Sequence, residues 1–265
     1  TAASPHTRTR SSQAIKEPKI FGEVVEVASS KDLNFNNIPK NYSVPSDVDY
    51  FHCTSNNTIF GTQLNLFPKV DCVHVCDMSS DIFSRQIDFS QFDLIYAGAQ
   101  KNMGPAGTTL VVVKEEILGK VDRPIPSMLD YKVHISKDSM YNTPSVFAVY
   151  VSMLTLEWLI SIGGIDAIET INNKKAELIY AEIDRNPLFT GFVKNNEDRS
   201  KMNATFNLVD EKYAPAFNTL WNDAGINGLK GHRSVGGYRA SMYNALPIES
   251  VEVLVQVMQE LERIS

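Results

Sequence analysis

Cysteine is scarce, with Cys53, Cys72 and Cys76 the only three in 265 residues. An odd number of thiols in apolar surroundings argues against a disulfide framework and suits reduced side chains in a cytosol. A cytoplasmic location is therefore expected. No apolar run approaches the roughly 20 residues that would span a bilayer. Positive charge is not in excess either: 25 Lys and Arg stand against 31 Asp and Glu, a net charge of −6. That balance gives no reason to expect nucleic acid or an anionic membrane as a partner. Residues 1–13, TAASPHTRTRSSQ, contain neither the apolar stretch of a signal peptide nor any periodic pattern. The chain starts at Thr1 rather than Met, and residues 1–13 are expected to be a disordered or non-native N-terminus. No internal repeat is found. What is present, 43% apolar and 21% charged residues, is the composition of a globular protein with one large core or two smaller ones.

Short apolar runs bounded by turn residues predict strands at 22–28, 48–53, 71–76, 92–97 and 107–113. DLIYAG and TTLVVVK are too continuously apolar for a one-sided sheet and read as strands covered on both faces. That implies an α/β fold, a sheet with helices above and below. After Pro144 the texture changes. A helix-length apolar run covers 145–162 and stops at Gly163–Gly164. Apolar residues at helical spacing then run through 165–186, ending before Pro187. A strand at 203–209, a helix at 213–224, a strand near 240–243 and a helix at 248–264 follow. The expected organisation is a large domain over 14–166 and a smaller C-terminal α/β domain over 167–265.

Lys101, in IYAGAQKNMGPAGTT, sits between two amides among small residues, directly after a predicted strand. Asp77 closes the run VDCVHVCD in the same manner. In open α/β sheets ligands gather at the carboxyl ends of strands, so the two side chains can share one crevice. Pyridoxal phosphate requires such a pair: a lysine for the Schiff base and an acid for the pyridinium nitrogen. Each residue also has a plainer reading, Lys101 as a solvated loop residue and Asp77 as a turn or helix cap. CVHVC places Cys72, His74 and Cys76 on one strand face. Without a second ligand cluster it reads as a core strand rather than a metal site. LKGHRSVGGYRAS gathers His232, Arg233 and Arg239 around Gly236–Gly237. It is either a basic surface hairpin or a site for a substrate carrying carboxylate and phosphate. Its glycine pair suggests backbone approaching a ligand. Asn142 and Thr143, before a predicted helix start, could be an anion site or an ordinary cap.

CDMSSDIFSRQID, IYAGAQKNMGPAG, LDYKVHISKDSMYNTPS and LKGHRSVGGYRASMYNALP occur in this order, and together the four segments resemble the phosphoserine aminotransferases. The resemblance runs from about residue 14 to the C-terminus. It implies a fold-type I aminotransferase that binds pyridoxal 5'-phosphate. The implied reaction moves an amino group between L-glutamate and 3-phosphohydroxypyruvate, giving O-phospho-L-serine and 2-oxoglutarate for serine and pyridoxine synthesis. By the same resemblance Lys101 is the Schiff-base lysine and Asp77 the pyridinium partner. Thr58 would meet the ring's phenolic oxygen, and Gln100 would lie by the cofactor phosphate. Asn142 and Thr143 would reach the cofactor of a neighbouring subunit, in a homodimer with shared sites. His232 and Arg233 would hold the substrate's phosphate or side-chain carboxylate, and Arg239 its α-carboxylate. Family members carry a further N-terminal region and an aromatic residue before AIKE, where this chain reads HTRTRSSQ. The alternatives are a related fold-type I aminotransferase with another substrate, or an inactive remnant that only dimerises.

Overall fold

The computed structural model describes residues 1–7, 14–233 and 235–265. Six strands form the main sheet: β1 (Ala2–His6), β2 (Val24–Ser29), β3 (Tyr50–Thr54), β6 (Val73–Asp77), β7 (Leu94–Gly98) and β8 (Thr109–Val113). A short hairpin, β4 (Asn56–Asn57) with β5 (Thr62–Gln63), lies between β3 and β6 in the chain. The spatial order is β2-β1-β3-β6-β7-β8, parallel throughout except for β8, which runs antiparallel to β7. Residues of β6 and β7 alternate between buried and half-buried positions, the period-2 signature of a pleated strand. Because β3, β6 and β7 are parallel, their carboxyl ends, Thr54, Asp77 and Gly98, share one edge of the sheet.

Two expectations need correction. Residues 1–13 are not wholly a disordered or non-native tail, because Ala2–His6 is an inner strand paired with both β2 and β3. Ala2, Ala3 and Ser4 are buried. A strand enclosed by neighbours on both edges needs small side chains more than intrinsic β-propensity, so composition concealed it. Pro5, which lacks an N–H, sits where the register with β2 slips. Residues 8–13, within HTRTRSSQ, lie outside the described residues. The second correction concerns β8. Its apolar run predicts cover on both faces, yet Val112 is half exposed; among the described residues β8 is the outermost strand.

The helices are α1 (Tyr131–Ser136), α2 (Val146–Ser161), α3 (Gly164–Arg185), α4 (Ala214–Asp223) and α5 (Ile248–Ile264). The last four fall within a few residues of their expected positions. α3 follows Gly163, whose φ of 107° is a left-handed value favouring glycine, and ends at Asn186 before Pro187. A second sheet pairs β9 (Phe189–Gly191), β10 (Asn203–Leu208) and β11 (Tyr238–Ser241) antiparallel in the order β11-β10-β9. Two apolar cores result. One packs Ala3, Phe51, Cys76, Met78, Ile95 and Met103 around the main sheet. The other joins α3, α4 and α5 to the second sheet through residues such as Ile179, Phe206, Phe217, Leu254 and Met258. The boundary expected at 166/167 falls inside α3, whose Ile179 and Ile183 belong to the second core.

Phe206 is buried in that core, its ring 5.6 Å from Tyr238 in a stacked arrangement and 5.8 Å edge-on from Phe189. Phe206→Ala is expected to cost about 3–5 kcal/mol of unfolding free energy in urea titrations. A loss below about 1 kcal/mol would show that the ring cluster contributes little.

Candidate active site

The carboxyl edge of the main sheet carries the two residues that the strand endings single out. Asp77 is the last residue of β6 and pairs in register with Thr54 and Tyr96. One of its carboxylate oxygens accepts from the Ser79 N–H at 2.9 Å. Lys101 stands three positions beyond β7, in a turn where Lys101, Met103 and Gly104 all donate their N–H to the Ala99 carbonyl. This turn lifts the Lys101 side chain back across the strand ends. Its Nζ donates to Thr58 Oγ1 at 2.6 Å and lies 5.8 Å from the centre of the Tyr243 ring. The turn is crowded. A Cβ on Gly98 would come within 2.5 Å of Gln100 Oε1, so the Gln100 amide folds directly over the end of β7.

Thr58 joins Lys101 to the second core. Its hydroxyl accepts from Lys101, and its carbonyl lies 3.4 Å from Arg239 Nη1, which donates to it. Arg239 lies on β11, opposite Thr205 of β10. Its Nε is buried and has no hydrogen-bond partner among the described residues. A guanidinium with a buried, unanswered N–H costs about 1–3 kcal/mol or more unless an acceptor arrives. A planar carboxylate is the acceptor whose two oxygens match that fork.

Lys101, Thr58 and Arg239 are thus brought together by hydrogen bonds, with Asp77 on the same strand edge. His232 is half-buried and Arg233 exposed, both on the turn leading into β11. Asn142 and Thr143 are exposed ahead of α2, and the Asn142 amide donates to the Thr143 carbonyl rather than to the trio. The second glycine of the pair has a structural reason as well. Gly237 has φ 60°, and a Cβ there would strike Asn207 Oδ1 at 1.9 Å. It is glycine so that β11 can close against β10. CVHVC is core: His74 Nε2 lies 3.3 Å from Cys53 Sγ, and its Nδ1 lies 3.2 Å from the Gln91 carbonyl. Burial pushes the Cys76 thiol well above its ordinary pKa.

Tyr243 is a site residue that pattern reading misses. So are Asn102, Asn172, Lys175 and Asn244, which link the turn after β11 to the turn bearing Lys101. The available signal is on α3, where Asn172 and Lys175 interrupt the apolar stripe of Ile168, Ala176 and Ile179. Polar residues at core positions of an amphipathic helix mark a demand other than packing.

Likeness to known proteins agrees with this geometry. The class-V aminotransferase profile matches residues 16–254. The phosphoserine aminotransferase of Flavobacterium psychrophilum is 69% identical over 261 residues, covering 98% of this chain and 73% of that protein. That of Flavobacterium johnsoniae is 68% identical with the same coverage. Among solved structures, the phosphoserine aminotransferase of Bacillus circulans subsp. alkalophilus superposes with a TM-score of 0.95 at 42% identity. It covers all of this chain and 74% of its own. The pyridoxal phosphate-bound enzyme of Trichomonas vaginalis superposes at 0.90 with 34% identity, over 97% of this chain and 75% of its own. The chain therefore spans about three-quarters of the length of these relatives. With its site at the carboxyl edge of a mostly parallel sheet, this chain belongs to the class-V aminotransferases and, within them, to the phosphoserine aminotransferases.

Proposed function

We propose that the chain holds pyridoxal 5'-phosphate at Lys101 and transfers an amino group between L-glutamate and 3-phosphohydroxypyruvate, yielding O-phospho-L-serine and 2-oxoglutarate. The observation that carries the reading is the convergence of Lys101, Thr58 and Arg239, with the buried Arg239 Nε still lacking an acceptor. The donor set fits the cofactor. An amine stands ready for its aldehyde, and a carboxylate at the end of β6 can keep a pyridine nitrogen protonated. Bound there, the cofactor supplies an electron sink for the pair released when a substrate Cα–H bond breaks.

The chain's own residues do the rest. Lys101 would hold the cofactor, and its amine would be the base that moves the Cα proton. Asp77 fixes the charge of the ring nitrogen, its own orientation set by the Ser79 N–H. Thr58 would offer its hydroxyl to the cofactor ring, and Gln100 would help hold the cofactor phosphate. Arg239 clamps the α-carboxylate common to both substrates. His232 and Arg233 answer the phosphate or the second carboxylate, which is how one pocket can accept both glutamate and phosphoserine.

Our reading extends to a homodimer in the cytoplasm, with a large domain that takes in β1 as well as residues 14–166 and a small one over 167–265. Among the described residues no single helix is long and apolar enough to cross a membrane, yet α2 exposes Val146, Phe147 and Ile160 at 70–74%. An apolar face of that kind calls for a protein partner. Asn142 and Thr143, immediately before it, would then reach the second subunit's cofactor.

Pyridoxal phosphate added to the purified chain should give a visible band that borohydride fixes, with the label on Lys101 by peptide mass spectrometry and none on Lys101→Ala. No band at saturating cofactor would sink the reading. Arg239→Leu should raise KM for glutamate and phosphoserine alike, by about 10- to 100-fold for a lost charge-assisted hydrogen bond. An effect on phosphoserine alone would reassign that arginine. Phe147→Glu should shift the chain from dimer to monomer in sedimentation velocity; an unchanged dimer would move the interface elsewhere.

A further inference from the structure

Lys175 of α3 is wholly buried, yet no carboxylate among the described residues pairs with it. Its Nζ donates instead to the carbonyls of Met242, Tyr243 and Leu246, at 3.1, 3.0 and 3.1 Å. Three N–H groups meet three carbonyls, so the ammonium is satisfied as a hydrogen-bond donor but not as a charge. Burial lowers its pKa to about 8. For packing alone, an apolar side chain of similar volume would be the cheaper occupant.

The three carbonyls belong to one turn, directly after β11, and that turn is tied from other directions as well. The Asn244 N–H donates to Asn102 Oδ1 at 3.0 Å, its side-chain amide donates to the Phe83 carbonyl at 2.9 Å, and its Oδ1 accepts from Asn172 Nδ2 at 2.9 Å. Asn172 lies one helical turn before Lys175 on the same face of α3. Asn102 is the residue next to Lys101. At the centre of the turn is Tyr243, whose ring stands 5.8 Å from the Lys101 amine and whose hydroxyl accepts from Asn203 Nδ2 at 3.3 Å. Arg239 lies on the strand that feeds the turn.

We infer that Lys175 is a positioning residue for the reacting lysine. By gripping the turn at Met242–Leu246 it holds the Tyr243 ring over the Lys101 amine and fixes the end of the strand bearing Arg239. The inference rests on the proposed role of Lys101 but concerns geometry present before any cofactor binds. The ring stands at cation–π distance from the amine, and attack by Lys101 on an electrophile must first give up that contact.

The test is made without added cofactor. The full chain and Lys175→Met are treated at pH 8 with trinitrobenzenesulfonate, and modification of Lys101 is followed by peptide mass spectrometry under conditions where circular dichroism shows both folded. Lys101 is expected to react about two- to five-fold faster in the variant, the factor that a lost cation–π contact corresponds to, with Tyr243→Leu giving the same change. A merely structural role would lower the urea midpoint and leave the Lys101 rate unchanged, and that result would overturn the inference. Should Lys175→Met fail to fold, Lys175→Gln, which keeps two donors, carries the same readout with a smaller increase. If pyridoxal phosphate fails to attach to Lys101 in the native chain, the proposed function falls while the labelling comparison still stands.

Discussion

The hairpin at Asn56–Gln63 is the joint on which the site depends, because its polar atoms are shared between two apolar cores. Asn56 Nδ2 donates to Asn203 Oδ1 at 3.0 Å, Thr205 Oγ1 to the Phe60 carbonyl at 2.8 Å, and the Ser200 N–H to the Gly61 carbonyl at 2.8 Å. Gly61 is forced. Its φ is 79°, and a Cβ there would lie 2.5 Å from Thr205 Oγ1. Each such bond contributes only about 1 kcal/mol net, but leaving a buried partner unmade costs about 1–3 kcal/mol. A polar junction of this kind is therefore directional in a way that apolar contact is not. Two greasy surfaces could slide by an ångström at small cost, whereas these bonds set one arrangement. Thr58 sits inside this hairpin, so the distance between Lys101 and Arg239 follows from it.

Much of this was legible in the residues themselves. Strand-and-turn texture placed β3, β6 and β7 of the sheet, and an aspartate and a lysine at strand ends marked the carboxyl edge where they are found. Family resemblance singled out Thr58, whereas Arg239 was already marked by the basic run LKGHRSVGGYRAS, and the hydrogen bonds through Thr58 now supply the physical link between Lys101 and Arg239. What stayed hidden has a common cause. Ala2–His6 became a strand through its neighbours rather than through its composition, and Tyr243 reaches Lys101 across 142 positions of chain. Neither fact has a local period to read. Lys175 did leave a trace, as a charge on an apolar helix face, but a trace of that kind does not say what the charge is for.

The two cores also divide the chemistry. The main sheet supplies the carboxylate and amine that would act on the cofactor; the second sheet supplies the guanidinium that would act on the substrate. In the proposed reaction, binding energy gathered by Arg239 would place a Cα–H bond against Lys101, which is how remote contacts accelerate a proton transfer. The unanswered Nε of Arg239 is consistent with this division, because a donor already satisfied by the protein would have less to gain from substrate.

The outermost strand of the main sheet has a consequence of a different kind. β8 ends the sheet with the run Leu110–Val113, and Val112 looks outward. An edge rich in branched aliphatic residues is a template on which another extended chain can add itself. Lys114, Glu115 and Glu116 follow at once, the two glutamates exposed and the lysine paired with Asp93 at 2.8 Å. Charges in that place act as gatekeepers: any strand laid along the valines must run into them. A strand laid beside β8 would thus meet two exposed carboxylates where the valines end.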